Sequence, residues 1–192
     1  WPLNSHSVSR ATTDEGLISN PPRLDQAVQT LEELQEEGKI RHIGISNFGV
    51  AQMSEILQTG VKIAVNQLPY SLLFHQIKPK ILPYCREKGI GVIGYMSLMQ
   101  GLLTGKYKDA DSMPPNRTRV RHFRGDRPGA RHGEAGAEKE TFESLVKIRE
   151  ISDELGLPMH LISLAWSIAN PDVTCTIVGA RDKAQFLDNL KV

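Results

Sequence analysis

Four short stretches of this chain place chemistry-bearing side chains where they would act together. Ser46-Asn47, Asn66-Gln67, Tyr95 and Gly179-Ala180-Arg181 each close a short apolar run. The first two offer amides and a hydroxyl, the third an aromatic face, and the fourth glycine followed by a guanidinium. Side-chain amides can pair with a carboxamide, as donor and as acceptor. An aromatic ring can stack on a planar one, and an arginine where a helix begins can hold a phosphate. The set suits a ligand with a planar, amide-bearing ring and an anionic tail. Any single amide at a strand end can equally cap a loop; the agreement of four ends carries the reading.

These residues need elements to position them. NPPRLDQAVQTLEELQEEG (20–38) reads as a helix, with Asn20 as cap, Pro21 in the first helical position and an apolar stripe of Leu24, Ala27, Val28, Leu31 and Leu34. Gly38 suits the left-handed residue that closes it. IRHIGI (40–45), VKIAVNQ (61–67), IGVIGY (90–95) and TCTIVG (174–179) read as strands. Helices are predicted over about 50–58, 77–88, 138–155, 158–169 and 182–190, with Phe142, Leu145, Val146, Ile148, Ile151 and Leu155 as the stripe of the third. A long irregular stretch, 106–137, is rich in Arg, Gly, Pro and His; it is either a lid over a ligand or a mobile solvated loop.

Apolar strands alternating with amphipathic helices predict an α/β fold of parallel strands covered by helices. A doubly wound sheet and a (β/α) barrel both fit. No GxGxxG follows a strand, so the usual dinucleotide fingerprint is absent. Four strands are too few for a closed eight-stranded barrel, whose length is roughly 250 residues. Half a barrel or a small open sheet remains.

Composition narrows the class of partner. The 192 residues carry 23 basic and 22 acidic side chains, which argues against a nucleic-acid or membrane-surface role. No apolar run approaches the length of a membrane span. Cys85 and Cys175 lack metal-ligand spacing and read as buried free thiols, which suits a reducing, cytoplasmic setting. No metal site is expected.

GKIRHIGISNFG, VNQLPYSLL, YCREKGIGVIGYMSLMQGLLTGKY and IVGARDKAQFLDNL resemble, in order and spacing, the C-terminal half of an aldo-keto reductase. The resemblance runs from about residue 1 to the end and is poorest over 107–137. It implies one domain over 1–192: the C-terminal half of a (β/α)8 TIM barrel, starting just after the fourth strand, with four parallel strands and covering helices. An unrelated barrel of the phosphate-binding isomerase or aldolase type fits these motifs poorly.

The resemblance implies NADPH as cofactor and assigns residues to it. Ser46, Asn47 and Gln67 would hold the nicotinamide carboxamide, and Tyr95 would stack on the ring. Met96, Ser97 and Leu98, with Gln100, Gly101 and Lys106, would line the pyrophosphate. Gly179, Arg181, Gln185, Asp188 and Asn189 would surround the 2′-phosphate, ribose and adenine. Glycine at 101 and 105 lets backbone approach an anion, and Lys106 is a point charge for phosphate. Arg181 favours NADP over NAD, because a bare ribose needs no cation. One departure stands out: the family usually has Tyr-Ser-Pro-Leu where this chain has Tyr95-Met96-Ser97-Leu98. A thioether replaces the hydroxyl directly after the tyrosine, so a pyrophosphate hydrogen bond is lost or passes to Ser97.

The same resemblance speaks of catalysis. Aldo-keto reductases use an Asp, Tyr, Lys and His set from the first half of the barrel, with the tyrosine as proton donor. Trp1-Pro2 resembles the pair that follows the catalytic histidine in many members. The expectation is therefore a cofactor-binding half with no catalytic residues of its own. Tyr70, Tyr84 and Tyr107 have no matching lysine and aspartate, and His75 reads as a surface residue. The parent protein would reduce small aldehydes and ketones. Alternatively, the chain is a non-catalytic nucleotide- or partner-binding module. A half-barrel leaves open strand edges through which copies can associate.

Overall fold

The computed structural model describes residues 12–192, so the reading of Trp1-Pro2 falls outside the described residues. The chain divides into two compact units. Of the described residues, the first holds those up to Pro69 together with Gln76–Gly94 and Pro171–Cys175. The second holds Tyr70–His75, Tyr95–Asn170 and Thr176–Val192.

The first unit opens with a short helix, α1 (Glu15–Ser19), whose N-cap Asp14 accepts from the amides of Gly16 and Leu17. Helix α2 (Leu24–Glu36) follows. The sequence predicted one helix from residue 20, but Asn20 closes α1 instead. Pro22 keeps Pro21 out of the helical region, and Arg23, extended at φ −67°, ψ 147°, becomes the cap. The predicted stripe holds: Val28 is buried, and Leu24, Ala27, Leu31 and Leu34 are half-buried. Gly38 is left-handed at φ 73°, as its place beyond the helix end requires.

Strands β1 (Ile43–Ser46), β2 (Ile63–Pro69), β3 (Gly91–Tyr95) and β4 (Cys175–Thr176) form a four-stranded parallel sheet in chain order. Helices α3 (Val50–Leu57) and α4 (Ile81–Glu87) connect the first three. In the β1–β2 ladder Ile45 faces Asn66 and Ser46 faces Gln67. Close approach demands glycine at 44, where a Cβ would lie 2.9 Å from Val65 Cγ2. Ile43, Ile45, Ile63, Met53, Ile56, Leu82 and Val92 make the core beneath the strands. Cys85 joins them, and burial pushes its thiol up to about 11. Cys175 is exposed, against expectation, because β4 offers it no covering layer. The predicted strand over 174–179 contracts to two residues. Beyond it, Ile177 spends its carbonyl on the Ser97 hydroxyl at 2.8 Å instead of on a ladder partner.

The second unit is built on α5 (Glu138–Leu155), α6 (Met159–Ile168) and α7 (Lys183–Asn189), with 3₁₀ turns at Met99–Thr104 and Pro115–Arg117. Met99, Leu102, Leu103, Leu145 and Met159 form its core. The stretch 106–137 supplies Ala110, Met113 and Phe123 to that same core, and Phe123 is fully buried. Arg127 fastens it further, pairing with Glu138 and with Asp111 Oδ1 at 2.8 Å. On α5 the predicted stripe is only partly used. Leu145 is buried and Phe142 and Ile148 pack against the core, but Val146, Ile151 and Leu155 are exposed. Thr141 and Ser152 take the inward positions instead.

Candidate functional site

The second unit encloses a cleft of about 790 Å³. One wall is the turn after β3. Met96 leaves the strand with φ 58°, Met99 and Gln100 follow at φ 45° and 56°, and Gly101 at φ 98°. Positive φ is costly for residues with a Cβ, so this turn is held by its bonds. Met99 N donates to Met96 O at 2.8 Å, Gly101 N to Leu98 O at 2.9 Å, and Thr104 Oγ1 to Gly101 O at 2.8 Å. Ser97 is almost fully buried and donates its hydroxyl to Ile177 O, so its proton is already committed.

Two cations converge on Gly101. Lys106 Cε and Nζ lie 3.0 and 3.1 Å from where a Cβ would stand, and an Arg117 terminal nitrogen 3.4 Å away. Arg117 donates to Gln100 O at 2.9 Å and to Tyr107 Oη at 3.1 Å, and Lys106 Nζ sits 4.8 Å over the Tyr107 ring. Arg119 and Arg181 line the same cleft. Facing these four cations is one carboxylate, Asp188. It is already engaged: Lys191 Nζ lies 2.7 Å and His160 Nε2 2.8 Å from its oxygens. The Lys191 hydrogen bond holds its carboxyl below the usual range. The cleft is net positive, with its negative group internally paired.

The opposite wall runs through Gly179 and the start of α7. Asp182 caps that helix, accepting from Gln185 N at 2.9 Å, and Gln185 Oε1 accepts from Arg181 N at 3.2 Å. Gln185, Asp188 and Asn189 present one side of the helix to the cleft. Every residue from Met96 onward that the resemblance assigned to the cofactor lines this cleft; Gly105, singled out for close approach to an anion, does not. Tyr95, half-buried, ends β3 and accepts from Tyr70 N at 2.9 Å.

In the first unit, Ser46, Asn47 and Gln67 are brought together. Gln67 O accepts from both Ser46 Oγ and Asn47 N, each at 3.0 Å. Asn47 is left-handed at φ 62°, which turns the chain sharply out of β1.

The aldo/keto reductase family model matches residues 3–192. The chain belongs to that family. Aldo-keto reductases are oxidoreductases that use nicotinamide cofactors on small carbonyl substrates. The chain is 30% identical over 171 residues to an NADH-specific methylglyoxal reductase of Escherichia coli (strain K12), covering 87% of this chain and 48% of the relative. It is 22% identical over 213 residues to a probable voltage-gated potassium channel subunit beta of Oryza sativa subsp. japonica, covering 98% of this chain and 63% of the relative. A solved glycerol dehydrogenase from Gluconobacter oxydans superposes with a TM-score of 0.71 at 25% identity, covering 90% of this chain and 49% of that one. The fold is the aldo-keto reductase TIM-barrel type, and the chain spans about half the length of most of these relatives.

Five further residues line the cleft: Thr104, Asn116 and His160, which the sequence reading did not single out, and Arg117 and Arg119, which it named only as part of a stretch that is either a lid or a solvated loop. Three of them come from the 106–137 stretch, where the family resemblance is weakest. Its run of arginines was the one available signal. Arg117 is held at the cleft by Gln100 O and Tyr107 Oη, contacts that no periodicity marks. Among the described residues no group of three His, Cys, Asp or Glu side chains stands close enough to hold a metal ion. No helix there is long and apolar enough to cross a membrane.

Proposed function

We propose that this chain binds a nicotinamide dinucleotide, NADPH in preference to NADH, as the cofactor side of a carbonyl reductase. The observation that carries the reading is the cleft of the second unit. Lys106, Arg117, Arg119 and Arg181 line it, and the one carboxylate among the described residues that line it, Asp188, is paired with Lys191 and His160. Such a cleft stabilises a polyanion, because uncompensated cations in a recess attract phosphate strongly. The residues present fit the group. Lys106 and Arg117 beside Gly101 suit the pyrophosphate, Arg181 the 2′-phosphate, and Asp188 and Asn189 the adenine and ribose. Ser46, Asn47 and Gln67, in the first unit, suit the carboxamide, and Tyr95, in the second, suits the ring face. When bound, the nicotinamide supplies the hydride.

The proton donor is proposed to lie outside these residues. Tyr70 is buried, and its hydroxyl accepts from Asn170 Nδ2 at 2.7 Å. Tyr107 Oη accepts from Arg117, and the Tyr84 ring lies under Lys88 Nζ at 5.6 Å. Among the described residues, none of the three stands beside both a lysine and an aspartate, the surroundings that the family resemblance implies for the proton donor. In the whole protein the proposed substrates are small aldehydes and ketones.

Isothermal titration of the chain with NADPH and NADH tests the reading. Tighter binding of NADPH supports it. Equal or tighter NADH binding moves the specificity to the NADH-specific relative's side, and no binding of either rejects it. A second reading, a non-catalytic binding module, draws on the similarity to a potassium channel subunit beta. Its mark is nucleotide binding without carbonyl turnover in the whole protein. The outer strands β1 and β4 make self-association through strand edges part of the proposal, read as a dimer by light scattering. Two free thiols suit a cytoplasmic location.

A further inference from the structure

Asn66 stands apart from the other amides. It sits in β2 directly before Gln67, and alternate strand residues face opposite sides. Gln67 is half-buried beside Ser46 and Asn47, whereas Asn66 is fully buried. Its Nδ2 donates to Phe48 O at 2.9 Å and lies 3.3 Å from Met53 Sδ. Its Oδ1 is buried with no hydrogen-bond partner. An unpaired buried acceptor destabilises a core, and a leucine of similar volume would fill the space without one. Packing alone does not call for an amide here.

The donor end explains it. The turn Ser46–Phe48 is pinned at two points. Toward solvent, Ser46 Oγ and Asn47 N both bind Gln67 O. Toward the core, Phe48 O is held by Asn66 Nδ2. Between these points Asn47 adopts φ 62°, which needs restraint from both sides. We infer that Asn66 is a positioning residue: its buried carboxamide fixes the left-handed turn at Asn47 and so presents Ser46, Asn47 and Gln67 to the nicotinamide carboxamide. The inference rests on the proposed cofactor reading and goes beyond it, since Asn66, fully buried, would act through the turn.

The test compares two probes on the chain: NADP+ and 2′-phospho-ADP-ribose, the same molecule without the nicotinamide ring. In N66L, NADP+ affinity is expected to fall about tenfold, equal to about 1.4 kcal/mol, while 2′-phospho-ADP-ribose binding stays at the wild-type level. Amide exchange at Asn47 is expected to quicken. N66D offers a second readout. Only its protonated carboxyl can donate to Phe48 O, so NADP+ affinity relative to wild type at the same pH should recover as pH falls. Cys85, whose Sγ lies 3.7 Å from the same Met53 Sδ, stays neutral below its value of about 11. Unchanged NADP+ affinity in N66L, equal loss for both probes, or unchanged exchange at Asn47 overturns the inference while leaving the cofactor reading intact. Failure of the wild-type chain to bind either probe overturns both. If N66L does not fold, N66D decides: no recovery at low pH overturns the inference.

Discussion

Replacing Gly101 with alanine perturbs the cleft at the point where its two best-placed cations meet. The backbone there has φ 98°, and left-handed geometry costs an L residue about 1–2 kcal/mol. The added methyl would stand 3.0 Å from Lys106 Cε and 3.1 Å from its Nζ. Lys106 is exposed and flexible and can swing aside, so the loss of stability should stay near the backbone cost. Arg117 cannot follow, because Gln100 O and Tyr107 Oη hold it. The ligand bears the rest. A hydrogen bond to a charged group contributes about 1.5–3 kcal/mol, so displacing Lys106 should weaken NADP+ binding about 10- to 100-fold. Urea denaturation reads the first effect and calorimetric titration the second. The double variant with K106M separates the causes. If the methyl acts through Lys106, G101A should cost little further affinity once Lys106 is gone. Additive losses of affinity, or an unchanged urea midpoint in G101A, would refute the reasoning.

Three further outcomes are expected. F123A should lose about 3–5 kcal/mol in urea denaturation, because a fully buried ring anchors the 106–137 stretch; a loss under about 1 kcal/mol would mean the stretch is not packed. R181M should weaken NADP+ binding about tenfold or more and leave NAD+ binding nearly unchanged; equal losses would remove Arg181 from 2′-phosphate recognition. The Arg127 hydrogen bond holds the Glu138 carboxyl below its ordinary value of 4.5. Its stabilisation is therefore full above that pH and is lost as pH falls through the lowered folded value. The melting-temperature gap between wild type and E138Q should be constant above pH 4.5 and close below it; a gap that persists at pH 2 contradicts the pairing.

The elements with strong periodicity were legible in the sequence. Helix α5 begins and ends where its pattern and Gly156 placed it, and β1 to β3 fall within a few residues of their apolar runs. The pattern failed where local chemistry competed with it. Pro21-Pro22 delayed α2, and a side-chain bond from Ser97 ended β4 early. Val146, Ile151 and Leu155 read as core but are exposed, because a stripe records apolar residues and not which neighbour covers them. The second-unit cleft was legible from Met96 onward because short motifs carry it. Its arginine wall was legible only as one of two readings of the 106–137 stretch, because the contacts that hold Arg117, Gln100 O and Tyr107 Oη, have no period to read. Asn66 looked like one of a pair of strand-end amides; only the β1–β2 register showed that it faces inward.

The most direct test of the central claim is a thermal melt of the 192-residue chain with and without saturating NADPH. A ligand that binds only the folded state at about 100 times its dissociation constant adds roughly 2.7 kcal/mol. A cooperative transition that moves up with NADPH, and less with NADH at the same concentration, is the expected result. A transition that ignores both nucleotides would contradict the assignment of the cationic cleft to a dinucleotide.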